Sequence, residues 1–221
     1  GRLNFFAGLP AEALEEINRY FYELSFELGE RIYTVGDPAE KLYVVAEGKV
    51  KIMQHPLGGR DVLLEILTTG EFFGNLTALG AASYSDSAEA QSPCCILCIR
   101  SDDFRKILDK YPELALKALE IMAARLNEAN MRVMQLSSMP VEKRIAITLY
   151  KLAHKLGRKK DSMLLIDVPL SRDDLAEMTS ATPESVSRVM SQLQTSGVIE
   201  SGRQWVGVLD MDALENLAKE D

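Results

Sequence analysis

Residues 169–198 constrain the fold more than any other stretch of the chain, because they have the pattern of two short helices joined by a tight turn. Ser171 followed by Asp174 predicts a capping box at the start of the first helix. Thr182 followed by Pro183 predicts the start of the second, since a threonine hydroxyl accepts free backbone N–H groups and proline fits the first helical position. This arrangement is typical of a helix-turn-helix.

The second helix has one apolar side and one polar side. At about 100° per residue, the apolar side consists of Val186, Val189, Met190 and Leu193. The polar side consists of Glu184, Ser187, Arg188 and Ser191. A recognition helix has these two sides, because one packs on the protein while the other enters the major groove of DNA. A helical corner with a solvated polar side is the alternative interpretation.

The polar side chains suit base and phosphate recognition. Arg188 can donate two hydrogen bonds to guanine, Glu184 can accept one from cytosine, and Ser187 can reach a base edge or a phosphate. Thr182 and Ser185 lie at the start of the helix, where its dipole attracts phosphates. We therefore predict that these residues contact double-stranded DNA.

A second DNA-binding element follows the helix. Residues 198–208 have the pattern of two short strands that turn at Ser201-Gly202, which predicts a wing lying against the DNA backbone. Arg203 lies beside the turn and is a candidate phosphate contact.

Composition limits the class of protein. The chain has 221 residues, 47% hydrophobic and 26% charged, which favours two domains. It has no apolar run of the roughly 20 residues that a transmembrane helix needs, so we expect a cytoplasmic protein without membrane contact. Gly1 in place of methionine suggests that an initiating segment is missing.

The net charge of −8 is unusual for a DNA-binding protein. Residues 141–221 contain 11 Lys and Arg against 13 Asp and Glu, so this part is less acidic than the rest but not basic. Its positive charge is concentrated in Lys151, Lys155, Arg158, Lys159 and Lys160. This run is either a DNA-facing patch or a solvated helix end.

The N-terminal half has a different pattern. After a helix predicted over residues 10–21, short β-rich runs alternate with glycine turns, which indicates a small all-β roll. The clearest predicted hairpin is residues 42–53, turning at Glu47-Gly48. The chain has no phosphate-binding loop and no Ser/His/Asp arrangement, so we do not expect an enzyme.

Three cysteines lie together at Cys94, Cys95 and Cys98. An odd number gives no disulfide framework, and a second cysteine pair for zinc is missing. Buried reduced thiols are preferred over a redox or metal site. The two histidines, His55 and His154, are the remaining candidates for metal chemistry, and His55 fits an exposed turn residue better.

A long helix is predicted between the two halves. Apolar residues recur at alternating spacings of four and three at Ala115, Leu119, Met122, Leu126, Ala129, Val133 and Leu136. This heptad pattern indicates either a parallel coiled coil with a second copy or a helix packed on the roll. A helix-turn-helix that binds a palindrome needs a dimer axis, which favours the homodimer. Pro140 begins the next helix, so residues 137–140 form a predicted hinge.

In this order of elements the chain resembles the CRP/FNR superfamily of bacterial transcription regulators over nearly its whole length. Residues 29–52 resemble the family's cyclic-nucleotide-binding-like roll, residues 122–146 its dimer helix and hinge, and residues 182–193 its recognition helix. The resemblance implies an α+β fold with a β-roll effector domain (1–111), a dimerisation helix and hinge (112–139) and a winged helix-turn-helix (140–221).

The resemblance also implies a DNA site. FNR-like members read their half-site with a Glu followed three residues later by Ser-Arg, which here are Glu184, Ser187 and Arg188. The cAMP-binding branch has an additional Arg before the Glu, and here that position is Pro183. A TTGAT-type half-site is therefore implied, with RNA polymerase as a further partner.

The implied effector pocket consists of Phe73, Gly74, Asn75, Leu76, Asp86, Ser87 and Asn130. In cAMP-binding members a Glu holds the ribose and an Arg pairs with the phosphate. Here Asn75 and Asp86 occupy those positions, and the Asp86 carboxylate would repel a cyclic phosphate. We therefore expect that cAMP is not the effector.

Other effectors stay open at this point. FNR-like iron–sulfur sensing needs N-terminal cysteines, which this sequence does not show, although a missing segment could carry them. Haem sensing of NO or CO needs an axial His, Met or Cys ligand. A small organic anion, a thiol switch and the absence of any effector are further alternatives. An enzyme regulatory subunit or an RNA-binding protein that reuses these modules is the alternative class.

Overall fold

The computed structural model describes residues 4–56, 61–74 and 82–219, and the chain divides into two compact units, Gly1–Asn127 and Glu128–Asp221. None of the helices within these residues combines the length and the apolar character that a membrane crossing requires. The predicted limits 1–111, 112–139 and 140–221 stay a prediction, because the long helix contributes to both units.

The first unit is a β-roll flanked by helices. It begins with a 3-10 turn (Asn4–Phe6) and helix α1 (Ala11–Asn18). Its described strands are β1 (Tyr22–Phe26), β2 (Arg31–Tyr33), β3 (Lys41–Glu47), β4 (Val50–Gln54), β5 (Val62–Leu67), β6 (Phe72–Phe73), β7 (Ser87–Ala90) and β8 (Cys94–Arg100). Helix α2 (Ser101–Lys110) follows them. Within the described residues, the strands pair antiparallel in two sheets, in the orders β1-β8-β3-β6 and β2-β7-β4-β5.

Strand β3 separates two apolar clusters, because successive side chains of a strand point to opposite faces. Tyr43 and Val45 point between the two sheets, where they pack with Ile52 and Leu67 of the second sheet. Leu42 and Val44 point the other way and pack with a cluster that includes Phe104 of α2. The run is buried on both faces, which explains why it is almost continuously apolar.

Two predictions for this unit are wrong in detail. Strands β3 and β4 do not form a hairpin, because they belong to different sheets. Gly48 instead carries the chain from one sheet to the other with φ +88°, and a Cβ there would lie 2.6 Å from Cys94 Cβ. Helix α1 is shorter than the predicted 10–21, because the residues from Tyr22 onward pair with β8. Ile17 of α1 is buried.

A 27-residue helix, α3 (Pro112–Ser138), follows α2. Leu114 is the buried residue of this helix, at 0% exposure. Helix α4 (Val141–Leu156) begins directly after Pro140, as predicted from the proline.

The second unit contains α4 and a winged helix-turn-helix. Its other elements are β9 (Gly157–Lys160), β10 (Met163–Ile166), α5 (Arg172–Thr179), α6 (Pro183–Thr195), β11 (Ile199–Ser201), β12 (Val206–Val208) and α7 (Met211–Lys219). The described strands pair in the order β11-β12-β10-β9. Ile145 and Leu149 of α4 are fully buried, together with Leu175 of α5 and Met190 of α6. The mixed α and β architecture agrees with the predicted fold class.

The basic run is only partly a helix end. Lys151 and Lys155 belong to α4, whereas Arg158, Lys159 and Lys160 lie on β9. This strand is at the edge of its sheet and all its residues are exposed. Charged side chains are typical of such edges, because they prevent pairing with other chains.

Candidate DNA interface

Helix α5 begins with the predicted capping box. The backbone N–H of Asp174 donates to Ser171 Oγ at 3.0 Å, and the backbone N–H of Ser171 donates to Asp174 Oδ2 at 2.7 Å. Leu175 and Ala176 are buried, which fixes the helix on the core of the unit. The first helix of the pair is therefore held at its start and along one side.

A tight turn joins α5 to α6. Ser180 ends α5 in the left-handed conformation with φ 48°. Thr182 caps α6 by accepting a hydrogen bond from the backbone N–H of Ser185 at 3.2 Å, and Pro183 is the first helical residue. The start predicted from the Thr-Pro pair is confirmed.

The two sides of α6 lie as the spacing predicted. The four apolar residues Val186, Val189, Met190 and Leu193 are buried. The four polar residues Glu184, Ser187, Arg188 and Ser191 are exposed. The hydroxyl of Thr182 donates to Ser185 Oγ at 3.2 Å, so both hydroxyls are grouped at the N-terminal end of α6, where helix N–H groups attract anions.

Arg188 has an acidic neighbour that sequence reasoning missed. Its Nη2 lies 3.4 Å from Oε1 of Glu142, which is on the first turn of α4. The two side chains are 65% and 50% exposed. The 46-residue separation leaves no local pattern from which this pair could be predicted.

The wing is a short hairpin. Strands β11 and β12 are antiparallel, with Ser201 opposite Val206, and the backbone N–H of Gly202 donates to Trp205 O at 3.0 Å. A Cβ at Gly202 would lie 2.2 Å from Trp205 Nε1, so a larger residue there would displace the indole. Arg203 is exposed in this turn. The predicted turn position is confirmed.

Hydrogen bonds connect the wing to both helices. Nη2 of Arg172, the first residue of α5, donates to Ser201 Oγ at 2.7 Å. Nε2 of Gln194 on α6 donates to Ser201 O at 3.2 Å. The backbone N–H of Leu170 donates to Gln204 O at 3.1 Å. Sequence reasoning missed these contacts, because they join residues that only the tertiary fold brings together.

Arg172 is a half-buried cation beside the wing. Its Nη1 is buried without a hydrogen-bond partner, and burial lowers the pKa of the guanidinium. A buried charged group with incomplete hydrogen bonding costs free energy. The bond to Ser201 offsets part of that cost and fixes the wing beside the start of α5.

The residues predicted for the effector pocket are only partly described. Phe73 is buried at the end of β6, and Gly74 follows it with φ +81°. Asp86 is half-buried, and Ser87 is buried on β7 and accepts a hydrogen bond from the backbone N–H of Val35 at 3.0 Å. Asn130 is exposed on α3. Asn75 and Leu76 lie outside the described residues.

Stacked aromatic rings lie next to Asp86. The Tyr33 ring stacks on Tyr84 with centroids 3.9 Å apart and on Tyr43 at 5.6 Å, and Tyr43 stacks on Phe73 at 5.2 Å. The Tyr33 hydroxyl donates to Asp86 Oδ1 at 2.7 Å. Burial, and then the negative charge of Asp86, raise the pKa of Tyr33 far above its ordinary value. Tyr33 therefore stays protonated and remains a hydrogen-bond donor to Asp86.

The cysteines and histidines have ordinary structural surroundings. Cys94 and Cys98 are buried free thiols, and Cys95 is half-buried. Burial raises the pKa of all three, and for Cys95 it acts with Glu23 and Glu47 to raise the pKa to about 11. In the described part of the chain, no three His, Cys, Asp or Glu side chains are grouped as metal ligands.

Neither histidine belongs to a group of candidate metal ligands in the described part of the chain. His55 Nδ1 lies 2.7 Å from Asp61 Oδ1, and the ring is half-buried rather than fully exposed as expected. His154 is exposed and contacts the Tyr150 ring edge-on, with centroids 4.5 Å apart.

The chain is similar to known proteins along its length. A cyclic nucleotide-binding domain model matches residues 23–111, and a Crp-like helix-turn-helix domain model matches residues 143–217. The cyclic AMP receptor protein of Thermus thermophilus is 30% identical over 96% of this chain and 95% of that protein. Transcriptional activator protein FnrL of Cereibacter sphaeroides is 25% identical over 97% of this chain and 88% of that protein.

A solved structure supports the same relationship. FixK2 from Bradyrhizobium japonicum has a TM-score of 0.78 at 25% identity, covering 91% of this chain and 98% of its own. These relatives are transcription regulators, a class of DNA-binding proteins and not of enzymes. The matches do not favour the alternative functions, haem sensing or a regulatory subunit. The chain belongs to the CRP/FNR family of DNA-binding transcription regulators.

Proposed function

We propose that this regulator binds a palindromic TTGAT-like DNA site as a homodimer and responds to an effector other than cAMP. The observation that carries the proposal is the exposed row of Glu184, Ser187 and Arg188 on a helix whose opposite side is buried. Glu184 and Arg188 are one helical turn apart, so they can address neighbouring base pairs. This arrangement supports base-specific reading in the major groove.

The wing and the start of α6 supply the backbone contacts of the proposal. Arg203 is exposed at the tip of the wing, which Arg172 and Gln194 fix beside the two helices. Thr182 and Ser185 lie at the N-terminal end of α6 and can bind a phosphate there. Phosphate contacts set the register of the helix on the duplex, whereas base contacts supply sequence preference.

Dimerisation is supported by exposed apolar side chains on α3. The apolar residues at heptad spacing on α3 form the seam of the predicted coiled coil. Their exposed fractions are 66% for Leu119, 45% for Met122, 62% for Leu126, 63% for Val133 and 45% for Leu136, and Ala129 is also exposed. Apolar rows of this kind mark protein interfaces. The high exposure of Leu119, Met122 and Leu126 argues against packing of that part of the seam on the roll. A second copy of α3 matches the heptad spacing.

The effector site does not fit a cyclic nucleotide. Asp86 accepts hydrogen bonds from Tyr33 and Ser85, at 2.7 and 3.3 Å. It occupies the position at which an arginine would neutralise a phosphate. A carboxylate at that position repels an anion. Several relatives carry cAMP in their names, and that effector belongs to those proteins. We propose that the roll of this protein is controlled by a different ligand or partner.

A thiol switch is a poor candidate for that control, because a reactive cysteine needs a lowered pKa and the three here have raised ones. A small organic anion and the absence of an effector are the remaining alternatives.

We also propose RNA polymerase as a partner, because a regulator bound beside a promoter acts on the transcribing enzyme.

Selection of binding sites from a random pool of duplexes tests the proposal. We expect two inverted TTGAT-like half-sites with centres about one helical turn of DNA apart. An identical selection with Ser191→Ala controls for changes on the same side of α6 that keep its charge. Recovery of non-palindromic sequences would contradict the proposed site.

A further inference from the structure

One arginine of α4 donates hydrogen bonds to the ends of two other helices. Arg144 Nε donates to Thr179 O at 3.0 Å and Nη2 donates to Ser180 O at 3.4 Å. Nη1 donates to Met139 O at 2.9 Å. Met139 directly follows α3, and its own N–H donates to Gln135 O at 2.9 Å. A single guanidinium therefore joins the C-terminal end of α3 to the C-terminal end of α5.

Arginine suits this position for electrostatic and geometric reasons. The last carbonyl groups of a helix have no partner within the helix and carry partial negative charge. A cation beside them is stabilising, and here one cation serves two helix ends. The planar guanidinium donates in several fixed directions at once, whereas a lysine ammonium is a compact point charge on a flexible stem.

The turn that Arg144 contacts is strained. Ser180 has φ 48°, a conformation that residues other than glycine rarely adopt because Cβ approaches the backbone. The backbone N–H of Ala181 donates to Ala176 O at 3.0 Å, and Thr182 then caps α6. The geometry of this turn therefore sets where the recognition helix begins.

We infer that Arg144 is a positioning residue that holds turn 179–181 and thereby aligns α6 with the end of α3. It acts through the turn, and its three described partners are backbone carbonyls of its own chain. The consequence for DNA rests on the proposed function, because alignment of α6 matters for base reading. The consequence for the turn itself does not depend on DNA.

Hydrogen exchange of the full chain without DNA tests the turn. Arg144→Gln should speed the exchange of the Ala181 and Ser185 amides about tenfold, the equivalent of one hydrogen bond to a charged group. Amides of the roll should not change. Arg19→Gln, in the loop after α1, is the matched control because it removes the same charge elsewhere. Unchanged exchange at Ala181 would overturn the inference.

Replacement of the strained residue gives a second, independent readout. Ser180→Gly removes the Cβ penalty, so the turn needs less support. In the Arg144→Gln background it should restore most of the slow exchange at Ala181. If the glycine restores nothing, Arg144 does not act by supporting this turn. Should Arg144→Gln fail to fold, Arg144→Lys is the second variant. It keeps the positive charge but loses the planar guanidinium, and the same comparison with Ser180→Gly applies to it.

Binding to the selected duplex and to a scrambled duplex then separates positioning from phosphate contact. Arg144→Gln should weaken specific binding about tenfold while non-specific binding and the salt slope stay unchanged. The loss should be much smaller in an Arg188→Ala background, because both changes act on base reading. A salt slope lowered by about one would show a phosphate contact and overturn the inference. If the parent chain binds no duplex, the proposed function fails, and the exchange measurements still decide the role of Arg144.

Discussion

Nη2 of Arg188 lies 3.4 Å from Oε1 of Glu142, so the side chain proposed to read guanine is paired with a carboxylate of its own chain. Both groups are exposed, and such pairs contribute only about 0–1 kcal/mol. The pair must separate before Arg188 can donate both hydrogen bonds to a guanine. Glu142 therefore competes with DNA for the same guanidinium.

We expect Glu142→Gln to tighten binding to the selected duplex by about two- to fivefold, because it removes that competition and one negative charge near the phosphates. Fluorescence anisotropy at fixed salt measures the change. Glu12→Gln on α1 is the control for net charge. The gain should shrink when Arg188 is already alanine, and an undiminished gain would show that Glu142 acts only through long-range charge.

Arg188→Ala should cost about 1–3 kcal/mol of specific binding free energy and relax the preference at one guanine. The reason is the loss of a bidentate contact to a base edge. Repeated site selection measures the preference at each position. Selection of the parent motif with unchanged strength would exclude Arg188 as a base reader.

Arg203→Ala should weaken binding to all sequences alike and lower the salt slope by about one, because the wing contacts the backbone. Titrations over a series of salt concentrations give the slope. Glu184→Ala is the contrasting variant: it should relax one position without weakening non-specific binding. A sequence-dependent effect of Arg203→Ala would place its side chain at a base edge.

Leu126→Asp should convert the dimer to a monomer and abolish palindrome binding, because an unpaired charge at the seam costs several kcal/mol. Sedimentation velocity gives the oligomeric state. Ala124→Asp adds the same charge on the opposite side of α3 and should leave the dimer intact. An unchanged dimer in Leu126→Asp would mean that α3 is not the interface.

Calorimetry with millimolar cAMP or cGMP should show no heat of binding. The reason is that Asp86 stands in place of the arginine that pairs with the phosphate in cAMP-binding members, and it already accepts a hydrogen bond from Tyr33. Asp86→Asn removes the repulsion and is the matched variant. Micromolar affinity of the parent chain would contradict this reading of the pocket.

Alkylation of Cys95 should be slow at neutral pH, because its pKa of about 11 leaves the thiol protonated. The rate should rise about tenfold for each pH unit below that pKa, since only the thiolate reacts. Mass spectrometry after iodoacetamide treatment measures it, with unfolded protein as the reference. If Cys95 of the folded protein is alkylated at pH 7 as fast as in the unfolded chain, a thiol switch becomes a candidate for control again.

Local patterns determined much of this protein. The caps at Ser171 and Thr182, the apolar stripe of α6 and the wing turn at Gly202 depend on residues close in sequence, so they were predictable. The heptad row of α3 was equally visible, because its spacing is local. The order of these elements was sufficient to suggest the family, which the comparisons then confirmed.

Only the tertiary structure decided how distant residues meet. The Glu47-Gly48 turn was interpreted as a hairpin, yet its strands lie in different sheets, because strand partners are chosen by long-range packing. The pairs Arg188–Glu142, Arg172–Ser201 and Arg144–Thr179 join residues 29 to 46 positions apart. No periodicity encodes such contacts. They form because burial of the apolar sides of α4, α5, α6 and the wing strands brings the polar rims of these elements together.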